Sequence, residues 1–138
     1  MRYSKPLLTE RSLDITDISE FEDRIEEIRD ALVEGHAALS KEDIKTLHYC
    51  IAKLDSFRLQ AIARLIEPLL EINLYSQNAA SIVKVLLQNR EPEVRYAALE
   101  AISYALGEVK IGDEVLAEAK NLLKNEESAF VREYLESL

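Results

Sequence analysis

Apolar residues recur along most of this chain at three- and four-residue steps, the spacing that puts them on one side of an α-helix. In "DISEFEDRIEEIRDALVEG" the stripe is Ile18, Phe21, Ile25, Ile28 and Leu32. It predicts a helix near 19–34, with Ser19 and Glu22 as a capping box and Gly35 as the stop. Ser40 then opens "KEDIKTLHYCIAKL" as an N-cap with Asp43 in an acidic first turn, and Ile44, Leu47, Ile51 and Leu54 form the inward stripe. "DSFRLQAIARLIEPLLEI" predicts a further helix that Pro68 must end or kink, because proline lacks an N–H and clashes with the preceding turn. "NLYSQN" reads as a loop. "NAASIVKVLLQN" reads as a helix with Ile82, Val83, Leu86 and Leu87 inward.

"PEVRYAALEAISYALG" follows, with Pro92 at the first helical position and Gly107 at the C-terminal stop. "GDEVLAEAKNLLKN", with Asp113 at its start, and "ESAFVREYLESL" complete an all-α set of about seven helices. No segment predicts a strand, and no linker is long enough to divide the chain. One domain over residues 1–138 is expected.

A second regularity lies over the first. Phe57-Arg58, Val94-Arg95 and Val131-Arg132 are 37 residues apart, and each pair opens a helix. Ala61 and Ala98 follow the first two arginines by three residues, and Leu65 and Ile102 by seven. Leu135 takes the small residue's place in the third copy. The preceding helix recurs too, as "KVLLQNREPEVR" and "KNLLKNEESAFVR". A constant period is the mark of stacked helical units, each needing a neighbour to bury its apolar face.

This pattern resembles the HEAT repeat family, including its shorter bacterial HEAT-like members. The resemblance covers roughly residues 55–138, at a period below the roughly 40–47 residues usual there. Residues 1–54 lack the Val-Arg signature and are expected to be a divergent repeat or N-terminal cap. The resemblance implies a short right-handed α-α superhelix of about three helical pairs plus a terminal helix. It implies that Arg58, Arg95 and Arg132 bond to acids or carbonyls of neighbouring repeats. Ala61 and Ala98 are expected to let helices approach closely, and the Phe or Val before each arginine to seal the turn between pairs.

Composition narrows the function. The 138 residues carry a net charge of −9. Residues 1–34 hold ten acids and five bases, residues 35–107 eight of each, and residues 108–138 eight acids and four bases. Acidic ends around a neutral middle argue against nucleic acid, whose binders need a basic patch, and permit steering toward a basic protein. No window approaches the 18 apolar residues of a membrane span, the N-terminus lacks the apolar run of a signal peptide, and Cys50 is alone. A cytoplasmic monomer is expected, without membrane or cofactor.

Catalytic chemistry finds little footing. His48 and Cys50 differ by about 200° on a helix and cannot share a metal. His36 lies near a helix end, and the three glycines are isolated, so no phosphate loop forms. What remains suits recognition. Asp23, Glu26, Glu27, Asp30 and Glu34 lie off the first apolar stripe and could dock Lys or Arg of a partner. Tyr96, Glu100 and Tyr104 recur every four residues, and Tyr75 sits in a loop at a repeat edge. A non-catalytic protein-binding module is therefore expected, foremost an acidic inhibitor or toxin-immunity-type protein that blocks a basic partner. An assembly adaptor is the alternative. The resemblance also brings in chromophore lyases, because some HEAT-like proteins act on tetrapyrroles, but no residues of this chain can be assigned to that chemistry.

Overall fold

The computed structural model describes residues 8–9, 13–72, 75–106 and 110–138. Among these the chain is all-helical, with seven helices and no strand: α1 (Ile18–Val33), α2 (Lys41–Ile51), α3 (Ser56–Glu71), α4 (Ser76–Leu87), α5 (Pro92–Ala105), α6 (Lys110–Leu122) and α7 (Ala129–Ser137). The expected stop at Gly107 lies outside the described residues.

Most boundaries follow from local chemistry. Asp17, not Ser19, caps α1. Its backbone is extended, and its carboxylate accepts the Glu20 N–H at 3.0 Å. Two candidate acceptors stand two residues apart, and the earlier one wins, which draws Ile18 into the helix. Gly35 ends α1 with φ of +77°, and the His36 N–H reaches the Ala31 carbonyl at 2.8 Å, which closes a Schellman-type end. At α2 the capping box is complete. Ser40 Oγ accepts the Asp43 N–H at 3.1 Å, and Asp43 Oδ2 accepts the Ser40 N–H at 2.8 Å. The other oxygen of this buried carboxylate accepts the Leu8 N–H at 2.7 Å, so one side chain serves both the local cap and a distant segment.

Pro68 does not end its helix. α3 runs through it to Glu71. In an unbroken helix the Arg64 carbonyl would accept from residue 68, which here has no N–H. That carbonyl instead accepts the Arg29 Nε–H of α1 at 3.1 Å. A donor from another helix replaces the one proline removes.

From α3 to α5 each helix contacts both its neighbour and the next but one. α3 lies against α1, α4 and α5, α5 against α6 and α7, and α4 against α6. Phe21, Ile25 and Ile28 of α1, Ile62, Leu65 and Ile66 of α3, Ile82, Val83 and Leu86 of α4, and Val94 and Ile102 of α5 form the continuous core. Ala61 and Ala98 are fully buried, where α3 and α5 need small side chains. α6 packs tightly on the end of α5 at Gly112, where an added Cβ would stand 2.5 Å from the Ala105 carbonyl oxygen. Lys84 and Glu118 join α4 to α6 at 3.0 Å.

The 37-residue period is structural in only part of the chain. The N-caps of α5 and α7, Glu91 and Ser128, are 37 apart, but those of α3 and α5, Asp55 and Glu91, are 36 apart. Val94 and Val131 thus stand three residues after their caps, and both are fully buried. Phe57 stands two after its cap, and one residue is a swing of about 100° on a helix. Phe57 is accordingly 71% exposed and seals no turn. Burial in α3 and α5 matches at a spacing of 36, where Ala61, Leu65 and Ile66 correspond to Ala97, Ala101 and Ile102.

Candidate functional site

The three arginines of the repeat all bond to backbone carbonyls, and their partners follow from that register. Arg95 Nη1 donates to the Asn89 carbonyl at 2.8 Å, and Arg132 Nη1 to the Glu126 carbonyl at 2.9 Å, each six residues back. The turns match as well. Asn89 Oδ1 accepts the Glu91 N–H at 2.9 Å, and Glu126 Oε2 accepts the Ser128 N–H at 3.0 Å. Arg95 also grips Glu126 through two parallel bonds of 2.7 and 2.6 Å. Arg58, one residue out of phase, pairs with its own N-cap Asp55 and donates to the Ile15 and Thr16 carbonyls ahead of α1. All three arginines thus hold backbone in place, with their guanidinium groups turned to carbonyls within the molecule.

Glu126 is all but enclosed, its side chain 2% exposed. Burial alone would raise its carboxyl. The Arg95 bonds, the Ser128 N–H and the charges of Arg95 and Arg132 outweigh that, and the carboxyl lies below its ordinary 4.5.

The acidic residues of α1 are all exposed, because the buried stripe takes the other side of the helix. Their charges are unevenly answered. Glu27 has Arg24 at 3.5 Å and Asp30 has Arg29 at 4.0 Å, while Glu34 lies 3.7 Å from His36, which answers its charge only when protonated. Asp23 and Glu26 have no ion-pair partner among the described residues. Glu22, one turn earlier, faces Arg64 of α3 at 3.3 Å.

The tyrosines separate. Tyr75 is not at a loop surface. It is 7% exposed, and its hydroxyl accepts the Leu39 N–H at 3.0 Å, which fixes the segment before α2 to the start of α4. Tyr96 is half-buried under α7, with its ring centroid 4.7 Å from that of Tyr134 and 5.6 Å from that of Phe130. Glu100 and Tyr104 remain open, Tyr104 at 61%.

Glu100 and Tyr104 form one wall of a groove of about 230 Å³ between α5 and α3, with Gln60, Arg64 and Glu67 opposite. Burial pushes the Glu67 carboxyl above its ordinary 4.5. Arg29 opposes the rise, Glu100 and Glu71 add to it, and Arg64 opposes it. Arg29 stands 3.8 Å from Glu67, too far for the hydrogen bonding that Arg95 gives Glu126. Neither Glu67 nor Arg64 was expected as a surface residue of interest. The signal lay in the outward positions of α3, where Gln60, Arg64, Glu67 and Glu71 recur at helical spacing opposite the apolar stripe, as the acids of α1 do.

A second hollow, about 660 Å³, opens where α2 and α4 end, lined by Ile51, Leu54, Val85 and Arg90 among others. Cys50 is buried and His48 half-buried. No group of three or more His, Cys, Asp or Glu among the described residues could hold a metal, and no helix there is long and apolar enough to cross a membrane. Comparison with protein-family models, with curated proteins and with solved structures returns no match.

Proposed function

We propose that this chain is a non-catalytic protein-binding module, built as a short HEAT-like α-α superhelix, whose acidic α1 face blocks a basic protein partner in the manner of an inhibitor or immunity protein. The superhelix reading is supported by the packing of each odd helix on the next odd helix and by the matched turns at Asn89 and Glu126. The observation that carries the binding reading is the exposed row Asp23, Glu26, Glu27 and Asp30 in a chain of net charge −9, with Asp23 and Glu26 unanswered by any cation among the described residues. Such a face raises the association rate with a basic partner more than it adds contact energy, and salt screens it. In this proposal the module acts as a cytoplasmic monomer.

The test replaces Asp23, Glu26, Glu27 and Asp30 by lysine and compares capture by the tagged wild type and variant at low and high salt. One basic protein, held one-to-one by the wild type at low salt and lost by the variant, is the expected result. Equal capture by both sinks the acidic-face reading. The hollow between α2 and α4 favours an adaptor as the second reading, since it lies apart from the acidic residues and is partly apolar. Several partners retained at high salt would point there.

A further inference from the structure

We infer that the groove between α3 and α5 receives a single arginine side chain of the protein partner, an inference that rests on the binding reading above. Its size comes first. About 230 Å³ accommodates one long side chain and excludes a helix. Its shape follows from residue type. Ala63 and Ala97 are buried and leave a shallow floor, while Glu67 and Glu100 rise on opposite walls. Tyr104 adds an aromatic surface that the fold leaves 61% exposed.

Charge then selects the occupant. Glu22, Glu67 and Glu100 share this side of the molecule with Arg29 and Arg64. Arg64 faces Glu22 at 3.3 Å, and Arg29 faces Glu67 at 3.8 Å. Glu100 has no ion-pair partner among the described residues. The groove's own lining holds two carboxylates, Glu67 and Glu100, against one guanidinium, that of Arg64, which favours one more monovalent cation. A guanidinium fits better than an ammonium ion. It is planar, can bond carboxylates on two sides and stacks on a tyrosine face.

The probe is the tripeptide N-acetyl-Gly-Arg-Gly-amide, titrated into the isotope-labelled full chain at low salt and followed by amide NMR shifts. The citrulline tripeptide, with the same shape and no charge, is the control. Saturable shifts at Ala63, Glu67, Ala97, Glu100 and Tyr104 with arginine alone are expected. Glu100→Gln should weaken binding about fivefold, near the upper end for an exposed ion pair. Tyr104→Ala should weaken it about threefold, as for an exposed cation–π contact. Both positions are exposed, so neither change should move the melting curve. Equal shifts with citrulline, shifts confined to the α1 acids, or unchanged affinity in Glu100→Gln would each overturn the inference. The lysine-reversed α1 variant separates the two readings. Groove shifts that persist there, while partner capture is unaffected by the reversal, would fault the acidic face and leave the groove standing.

Discussion

Two arginine–glutamate junctions hold neighbouring layers of this molecule together, and they are built differently. At the C-terminal junction Arg95 of α5 meets Glu126 with two parallel bonds of 2.7 and 2.6 Å, and the Ser128 N–H adds a third donor. At the N-terminal junction Arg29 of α1 divides its guanidinium. Its Nε–H goes to the Arg64 carbonyl at 3.1 Å, and Glu67 is left at 3.8 Å with Glu100 and Glu71 nearby. The same residue types therefore give opposite results. Glu126 is held below its ordinary pKa and Glu67 above it. A buried carboxylate stays ionised easily when donors meet it in bonding geometry, and reluctantly when its cation is committed elsewhere.

Removal of one partner from the tight junction should have the largest effect. Arg95→Ala leaves Glu126 enclosed without its cation, and urea unfolding should show a loss of about 3 kcal/mol. A loss below about 1 kcal/mol would mean that water reaches Glu126 freely.

The N-terminal junction should cost less and should depend on Pro68. Arg29→Ala is expected to destabilise by about 1.5 kcal/mol, chiefly through the Arg64 carbonyl. Pro68→Ala restores a helical N–H to that carbonyl, so Arg29→Ala should cost visibly less in its background. A double-mutant cycle with a coupling of about 0.5 kcal/mol or more is the expected readout, and strict additivity would show that Arg29 does not stand in for the missing donor.

Arg132 offers a milder version of Arg95, since it meets carbonyls and no enclosed carboxylate. Arg132→Ala should cost about 1 kcal/mol in the same unfolding experiment, and a loss equal to that of Arg95→Ala would erase the distinction between them.

The smallest effects are in pH dependence, and the two glutamates should bend the curve in opposite directions. Glu126, depressed in the folded state, contributes stability that is present above 4.5 and lost as pH falls through its folded value. Glu67, raised in the folded state, contributes stability that is present below 4.5 and lost as pH rises through its folded value. Unfolding across about pH 3 to 7 should therefore lose part of its acid-side fall in Glu126→Gln and part of its decline above 4.5 in Glu67→Gln. Parallel curves for the two variants would remove the contrast.

How far these features could be read in advance depended on the range of the interaction. The stripes in α1, α2 and α4 marked the buried faces, because helical periodicity and burial are one geometric fact, although Ile18 is half-buried and Leu54 falls beyond α2 and is half-buried too. Gly35, Ser40 and Pro92 acted where they stand in the chain. Asp17 took the cap expected at Ser19 because two acceptors competed within two residues. Pro68 was expected to end or kink its helix; that it does not end it rests on a donor from Arg29, 35 residues distant from the carbonyl it serves. Phe57 kept the sequence spacing of its counterparts but not their phase, since the cap at Asp55 shifts α3 by one residue. Tyr75 was expected at the surface, in a loop at a repeat edge, yet the Leu39 N–H gives its hydroxyl a partner within the fold. Of the candidate surface, the α1 acids, Glu100 and Tyr104 were legible as outward helical positions, whereas the groove needed α3 and α5 side by side.

The bond from Arg29 to the Arg64 carbonyl also limits how the molecule can be taken apart. Arrays of helical pairs are commonly treated as interchangeable bricks, to be trimmed or spliced at their joints. Here α3 borrows from α1 the donor that its own backbone lacks, so a fragment that begins after α1 starts with an open acceptor and a partly buried Glu67 deprived of its nearest cation. The joint at Arg95 fails more gently from the other side, because an arginine left at a cut edge is readily hydrated once Glu126 is gone. α1 is thus a part that α3 cannot shed without leaving a backbone acceptor open.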